Sequence, residues 1–108
     1  MILNLTQNKV ISKKEIVCKN IFSQGIGLMF HRKQNLLMVF PQERTVQLHN
    51  FFVFYPIDVL LINEKMKIVE IKRKFKPFTF WNSQQKGKYL LELAFLGEYT
   101  LENILKIK

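Results

Sequence analysis

The chain has 108 residues, 48% of them hydrophobic, with four glycines and three prolines, which suits a single globular domain spanning 1–108 and excludes a disordered chain. One cysteine, Cys18, excludes an internal disulfide framework, and two histidines without a cysteine pair give no zinc-binding spacing, so neither metal nor other cofactor is expected. Seventeen Lys and Arg against eight Asp and Glu leave a formal charge of +9, a bias that attracts polyanions over long range.

Residues 1–6 lack a basic leader region, a sustained apolar stretch and a small-residue cleavage site; with the lone thiol this points to a reducing, cytoplasmic setting. Residues 2–5 read as a first short strand, and Val10 and Ile11 as a second. Ser12-Lys13-Lys14-Glu15 then fits a capping box, in which Ser12 would accept a backbone N–H and Glu15 would reach back. The spacing predicts a helix from there, with Ile11 and Ile16 as its staple, Val17, Ile21 and Phe22 on one face, and Gly25 at its end. Lys13 and Lys14 oppose the dipole of such a helix.

After Gly25 and Gly27 the period changes. Leu36, Leu37, Met38, Val39 and Phe40 form an apolar run that suits a strand stopped by Pro41, with 42–45 as a turn. Residues 46–55 resume β character until Pro56, and 57–62 are nearly all apolar, as for a strand covered on both faces. The run 51–62 is far shorter than the roughly 20 residues a spanning helix needs, and it contains Pro56 and Asp58, so it reads as core and no membrane partner is expected. A polar turn at 63–65 leads to a strand over 66–75, completing a hairpin. Residues 77–88 read as a long loop. From Tyr89 to Leu96 the period-2 signal is strong, Gly97 closes that strand, 100–103 fit one short helical turn, and 104–107 a last edge strand. The fold class is therefore mainly β: a small sandwich or partly open, jelly-roll-like barrel with one N-terminal helix and a short helical turn near the C-terminus.

Several segments carry a family likeness. Gly27-Leu28-Met29-Phe30-His31-Arg32, the run from Leu48-His49-Asn50 through Phe54-Tyr55-Pro56-Ile57-Asp58-Val59, the pair Val69-Glu70, and Tyr89-Leu90-Leu91-Glu92-Leu93 occur in the order of the signatures of the family called domain of unknown function 192. The chain resembles its archaeal-type members from about Ser23 onward. It departs at Asn50, where those relatives carry Met, and at Ala94-Phe95-Leu96-Gly97, where they carry Pro-Ala-Gly. The resemblance implies a compact β-rich fold of this length and no established activity.

Asp58 is a carboxylate inside an otherwise apolar strand, which costs several kcal/mol if buried and unpaired. It either accepts structural hydrogen bonds, for instance from Tyr55 or a turn N–H, or serves a ligand at a pocket mouth. His49 and Arg32 belong to matched segments and lie beside aromatics; each is either a satisfied structural residue or part of an anion site. Glu92 alternates against Tyr89, Leu91 and Leu93, which predicts solvent exposure or pairing with a neighbouring Lys. Lys72-Arg73-Lys74-Phe75-Lys76-Pro77-Phe78-Thr79-Phe80-Trp81 interleaves cations with aromatics, the combination that lets a single strand of nucleic acid neutralise its backbone and stack its bases. Its plainer reading is a lysine-guarded edge strand whose aromatics close the core.

No serine lies in a nucleophile-elbow context, Cys18 reads as a buried thiol, and no glycine-rich phosphate loop occurs, so no catalytic residue is assigned. The favoured function is a monomeric, non-enzymatic binding module for an unknown small ligand or protein, its site formed by Arg32, His49, Asp58 and Trp81. The alternative is single-stranded nucleic-acid binding through Lys72, Arg73, Lys74, Lys76, Phe78, Phe80 and Trp81. A lesser alternative is a small hydrolase or lyase using Asp58 and His49.

Overall fold

The computed structural model describes residues 1–18, 35–49, 57–76, 79–94 and 99–108. Among them the chain forms strands and no helix: β1 (Ile2–Asn4), β2 (Lys9–Ser12), β3 (Glu15–Cys18), β4 (Asn35–Arg44), β5 (Gln47–His49), β6 (Ile57–Ile62), β7 (Ile68–Phe75), β8 (Phe80–Asn82), β9 (Gly87–Leu93) and β10 (Leu105–Ile107). No helix of the described residues is long and apolar enough to cross a membrane.

A five-stranded sheet, in the order β3-β4-β9-β6-β7, is the centre of the fold. Its pairings are antiparallel except for β3 with β4, which run parallel. Of its three interior strands β4, β9 and β6, β6 is apolar almost throughout because every one of its residues is buried, as a strand covered on both faces requires. Alternation sends Leu36, Leu90, Val59 and Leu61 to one face and Leu37, Leu91, Leu60 and Leu93 to the other. Each such side chain, fully buried, contributes roughly 1.5–3 kcal/mol.

Each face has its own cover. A two-stranded ribbon of β5 and β8 approaches the first through Trp81 of β8 and through Val46 just before β5, beside Phe40, Ile57 and Phe75; this is the ribbon face. A three-stranded sheet, β10-β1-β2, lays Ile2, Ile11 and Leu105 on the second with Tyr99 and Ile68; this is the terminal face. The described sheets are open, so the architecture is a layered mainly β fold rather than a closed barrel. Gly87, at the start of β9, lies close against the neighbouring strand β6: a Cβ there would fall 2.5 Å from Leu61 Cγ and 3.0 Å from the Ile62 carbonyl oxygen.

Several expectations are corrected. The predicted N-terminal helix does not begin at Ser12; residues 15–18 are β3. Ser12 and Glu15 do meet, with the Ser12 hydroxyl 3.0 Å from Glu15 Oε2 and 3.2 Å from the Lys14 carbonyl, but the Ser-x-x-Glu spacing closes a turn between two strands. Asn35 donates to the same hydroxyl at 2.9 Å and accepts from the Ala94 N–H at 2.9 Å, tying that turn to β4 and the end of β9. Tertiary pairing wins over the cap signal because Ile16 and Val17 are β-branched and gain a full partner in β4. The rest of the expected helix, Ile21, Phe22 and Gly25 included, lies outside the described residues.

Residues 100–103 form a turn instead of a helical one: Asn103 Oδ1 accepts the Thr100 N–H at 2.9 Å, and Glu102 has a left-handed φ of 70°. Pro41 does not stop β4, which continues to Arg44 across a register shift that begins after Val39, the kind of irregularity where a strand tolerates proline. The expected loop 77–88 contains β8, and the hydroxyl of Ser83 just after it accepts the Val46 N–H at 2.8 Å and helps seat the ribbon.

Candidate functional site

Asp58 sits in β6 between Ile57 and Val59, directly across from Leu93 of β9, so its side chain points to the terminal face. On the other side of β6, the register against β7 slips between Ile57 and Val59, and Lys74 takes a left-handed φ of 52°. Such a bulge frees one backbone N–H from the ladder. Asp58 Oδ1 accepts that N–H from Lys74 at 2.9 Å, and Oδ2 accepts the hydroxyl of Tyr99.

Arg73 completes the cluster. Its Nη2 donates to the Tyr99 carbonyl at 2.8 Å, its Nη1 lies 3.7 Å from Asp58 Oδ2, and its guanidinium stands 4.7 Å from the centroid of the Tyr99 ring. Burial, the hydrogen bond to Asp58 and the carboxylate charge hold the Tyr99 hydroxyl well above the usual phenol range. Asp58, 3% exposed, thus has both oxygens engaged in joining β6, β7 and the segment before β10.

Trp81 is elsewhere. It lies in β8 across from Leu48 and packs on the ribbon face, while His49 occupies the neighbouring register position across from Phe80. The five-stranded sheet stands between Trp81 and the Asp58 carboxylate, so those two members of the expected site are not brought together. Arg32 and Phe78 lie outside the described residues.

The basic and aromatic segment is divided in the same way. Phe75 is buried and Trp81 packs inward, Arg73 turns to Tyr99, and Lys72 is half-buried. Lys74 and Lys76 are exposed, and Phe80 is 64% exposed.

Glu92 is the residue that the sequence pattern misplaced. It is 7% exposed, its cross-strand neighbours are Leu36 and Val59, and no hydrogen bond or ion pair reaches it among the described residues. Loss of solvent pushes its carboxyl from 4.5 up to about 7. Its alternation partner Leu90 belongs to the ribbon-face cluster, so Glu92 points to the face opposite Asp58. Lys72 lies in the same cross-sheet row, one strand beyond Val59. The signal for this burial was present: β9 is apolar at Leu90 and Ala94 as well as at Leu91 and Leu93, so both of its faces are covered. Glu70, by contrast, is consumed by structure, its Oε1 accepting the N–H groups of Gln84 and Gln85 at 2.9 and 2.8 Å.

Known proteins share this arrangement of strands. A family model described as Uncharacterized ACR, domain of unknown function 192, matches residues 4–98. The chain is 29% identical over 96 residues to the UPF0127 protein of Thermococcus sibiricus, covering 85% of this chain and 62% of that relative's length. Among solved structures, it is similar to a candidate transcription regulator from Sinorhizobium meliloti, with a TM-score of 0.77, 21% identity, and coverage of 85% of this chain and 79% of the other. It is also similar to a protein of unknown function from Novosphingobium aromaticivorans, with a TM-score of 0.76, 12% identity, and coverage of 86% and 74%.

Proposed function

The chain belongs to the domain of unknown function 192 family, and on that premise we propose that it is a small, non-enzymatic binding module whose ligand contacts the ribbon face. The observation that carries this reading is Glu92: a buried carboxylate with no partner among the described residues, on the face approached by Trp81. A buried polar group without a partner costs about 1–3 kcal/mol, more when charged, and a ligand that donates a hydrogen bond or carries a positive charge would repay it. Lys72 and Trp81 are the nearby groups on the same face; His49 is included for its register position across from Phe80, and Arg32 on the sequence reading alone. Asp58 holds the fold beneath it. Fragment screening by chemical-shift perturbation tests this: hits should shift Glu92, Lys72 and the Trp81 indole, and shifts confined to the terminal face would remove the proposal.

A second reading keeps single-stranded nucleic acid, supported by exposed Phe80 beside exposed Lys74 and Lys76. Its stacking surface is reduced by the inward turn of Phe75 and Trp81, and its charge by the engagement of Arg73. Fluorescence anisotropy with a labelled oligonucleotide should show affinity falling steeply with salt and with Lys74→Ala; salt-independent binding would remove it. The Asp58 and His49 acid–base pair finds little support, since Asp58 already accepts from Lys74 and Tyr99. The single cysteine and the shared positive charge support a cytoplasmic monomer.

A further inference from the structure

The outer face of the three-stranded sheet is a second surface with a chemistry of its own. Ile2, Asn4, Ile11 and Leu105 point inward, so alternation turns Leu3 outward in a row with Val10 on one side and Lys106 on the other. Met1 and Leu5 continue the Leu3 side of β1, and the Lys108 N–H bonds to the Met1 carbonyl at 2.7 Å, which places a second terminal lysine beside the stripe. Met1, Leu5 and Val10 are each exposed by 44% or more. Leu101, equally open, lies in the turn whose Asn103 bonds Asn4 at 2.8 Å and Gln7 at 2.9 Å. Exposed Lys13 and Lys14 follow β2.

An aliphatic centre with a lysine rim matches one kind of occupant. A second copy would set lysine rim against lysine rim on chains that each carry +9, which opposes association. Protein partners are usually gripped by Tyr, Trp and Arg anchors, and this face offers none among the described residues. Aliphatic side chains that enter the headgroup boundary, with lysines extended to acidic headgroups, are what a peripheral surface for anionic bilayers requires. We infer that the outer face of β10-β1-β2 docks reversibly on anionic lipid surfaces, lying on the bilayer without crossing it.

Co-sedimentation of the full chain with phosphatidylglycerol-containing vesicles, against pure phosphatidylcholine, tests the inference. Binding should need the anionic lipid, weaken with salt, fall about tenfold or more in Leu5→Asn/Val10→Asn, and fall roughly fivefold for each of Lys106 and Lys108 changed to Ala. Lys74→Ala/Lys76→Ala, outside the three-stranded sheet, should bind as the parent does. Thermal melting checks that the exposed substitutions leave the fold intact. No binding to the anionic vesicles would overturn the inference; so would partitioning indifferent to Leu5 and Val10, or equally sensitive to Lys74 and Lys76, because net charge alone would then account for it. A concentration-dependent dimer abolished by Leu5→Asn would overturn it in favour of self-association.

Discussion

Two carboxylates lie on adjacent central strands and on opposite faces of the same sheet. Asp58 is 3% exposed and has a backbone N–H, a phenol and a guanidinium around it; Glu92 is 7% exposed among leucine and valine with no partner described. Equal burial therefore has unequal consequences. Around Asp58 the polar groups repair a bulge and fix where Tyr99 and β10 return to the sheet. Around Glu92 no described group is satisfied by the carboxylate, and burial makes it a group that weakens the fold when it is charged. A carboxylate that stabilises belongs to architecture, and one that destabilises needs another reason to be there, which is why the ribbon face is the proposed binding surface.

The comparison breaks first at Asp58. Asp58→Ala strands the buried Tyr99 hydroxyl and the part-buried Lys74 N–H at the edge of the terminal core and should cost about 3–5 kcal/mol in urea unfolding. A loss below about 1 kcal/mol would mean that solvent reaches the cluster and that Asp58 is no lock.

The second effect has the opposite sign. With the folded Glu92 carboxyl at about 7 against 4.5, both states hold the proton at low pH and the group is neutral throughout. Between these values the unfolded chain releases its proton and the folded chain keeps it, so stability falls as pH rises. Above about 7 the loss is complete and constant, on the order of 3 kcal/mol. In Glu92→Gln this dependence is absent, so the stability difference between variant and parent should move by about 3 kcal/mol in favour of the variant from about pH 4 to about pH 8. Parallel pH profiles for the two proteins would show that Glu92 is solvated or paired after all.

Why Asp58 was suspect from sequence and Glu92 was not comes down to the patterns around them. Asp58 interrupts six residues that are otherwise all apolar, so its burial was legible, as was the hairpin of β6 with β7. Its partners were not: Tyr99 is 41 residues away and Lys74 is presented by a bulge, and neither long-range pairing nor a register slip leaves a local trace. Glu92 lies in a segment with strong alternation, and alternation predicts one wet face. The apolar residues at Leu90 and Ala94 carried the contrary information. The Ser12 to Glu15 motif shows a related ambiguity, because a hydroxyl and a carboxylate three residues apart can cap a helix or close a β turn, and β-branched Ile16 and Val17 decide between them.

Smaller changes sharpen the comparison by dividing the Asp58 cluster. Tyr99→Phe removes one donor to a charged acceptor and leaves the Lys74 N–H in place, so a loss of about 1.5–3 kcal/mol is expected from denaturant unfolding. The smallest effect belongs to Arg73. Its side chain is 53% exposed, and its Nη1 approaches Asp58 at 3.7 Å, a distance at which solvent screens much of the attraction. Arg73→Ala should therefore cost about 1 kcal/mol or less, the ring contact with Tyr99 included. Arg73→Lys should lose nearly as much, since an ammonium keeps the charge but not the planar fork that reaches the Tyr99 carbonyl while covering its ring. If Arg73→Ala instead approached the loss for Asp58→Ala, the guanidinium would be the necessary counter-charge of the cluster, and the contrast with Glu92, which has no partner among the described residues, would rest on charge pairing instead of on the neutral donors Lys74 N–H and Tyr99 O–H.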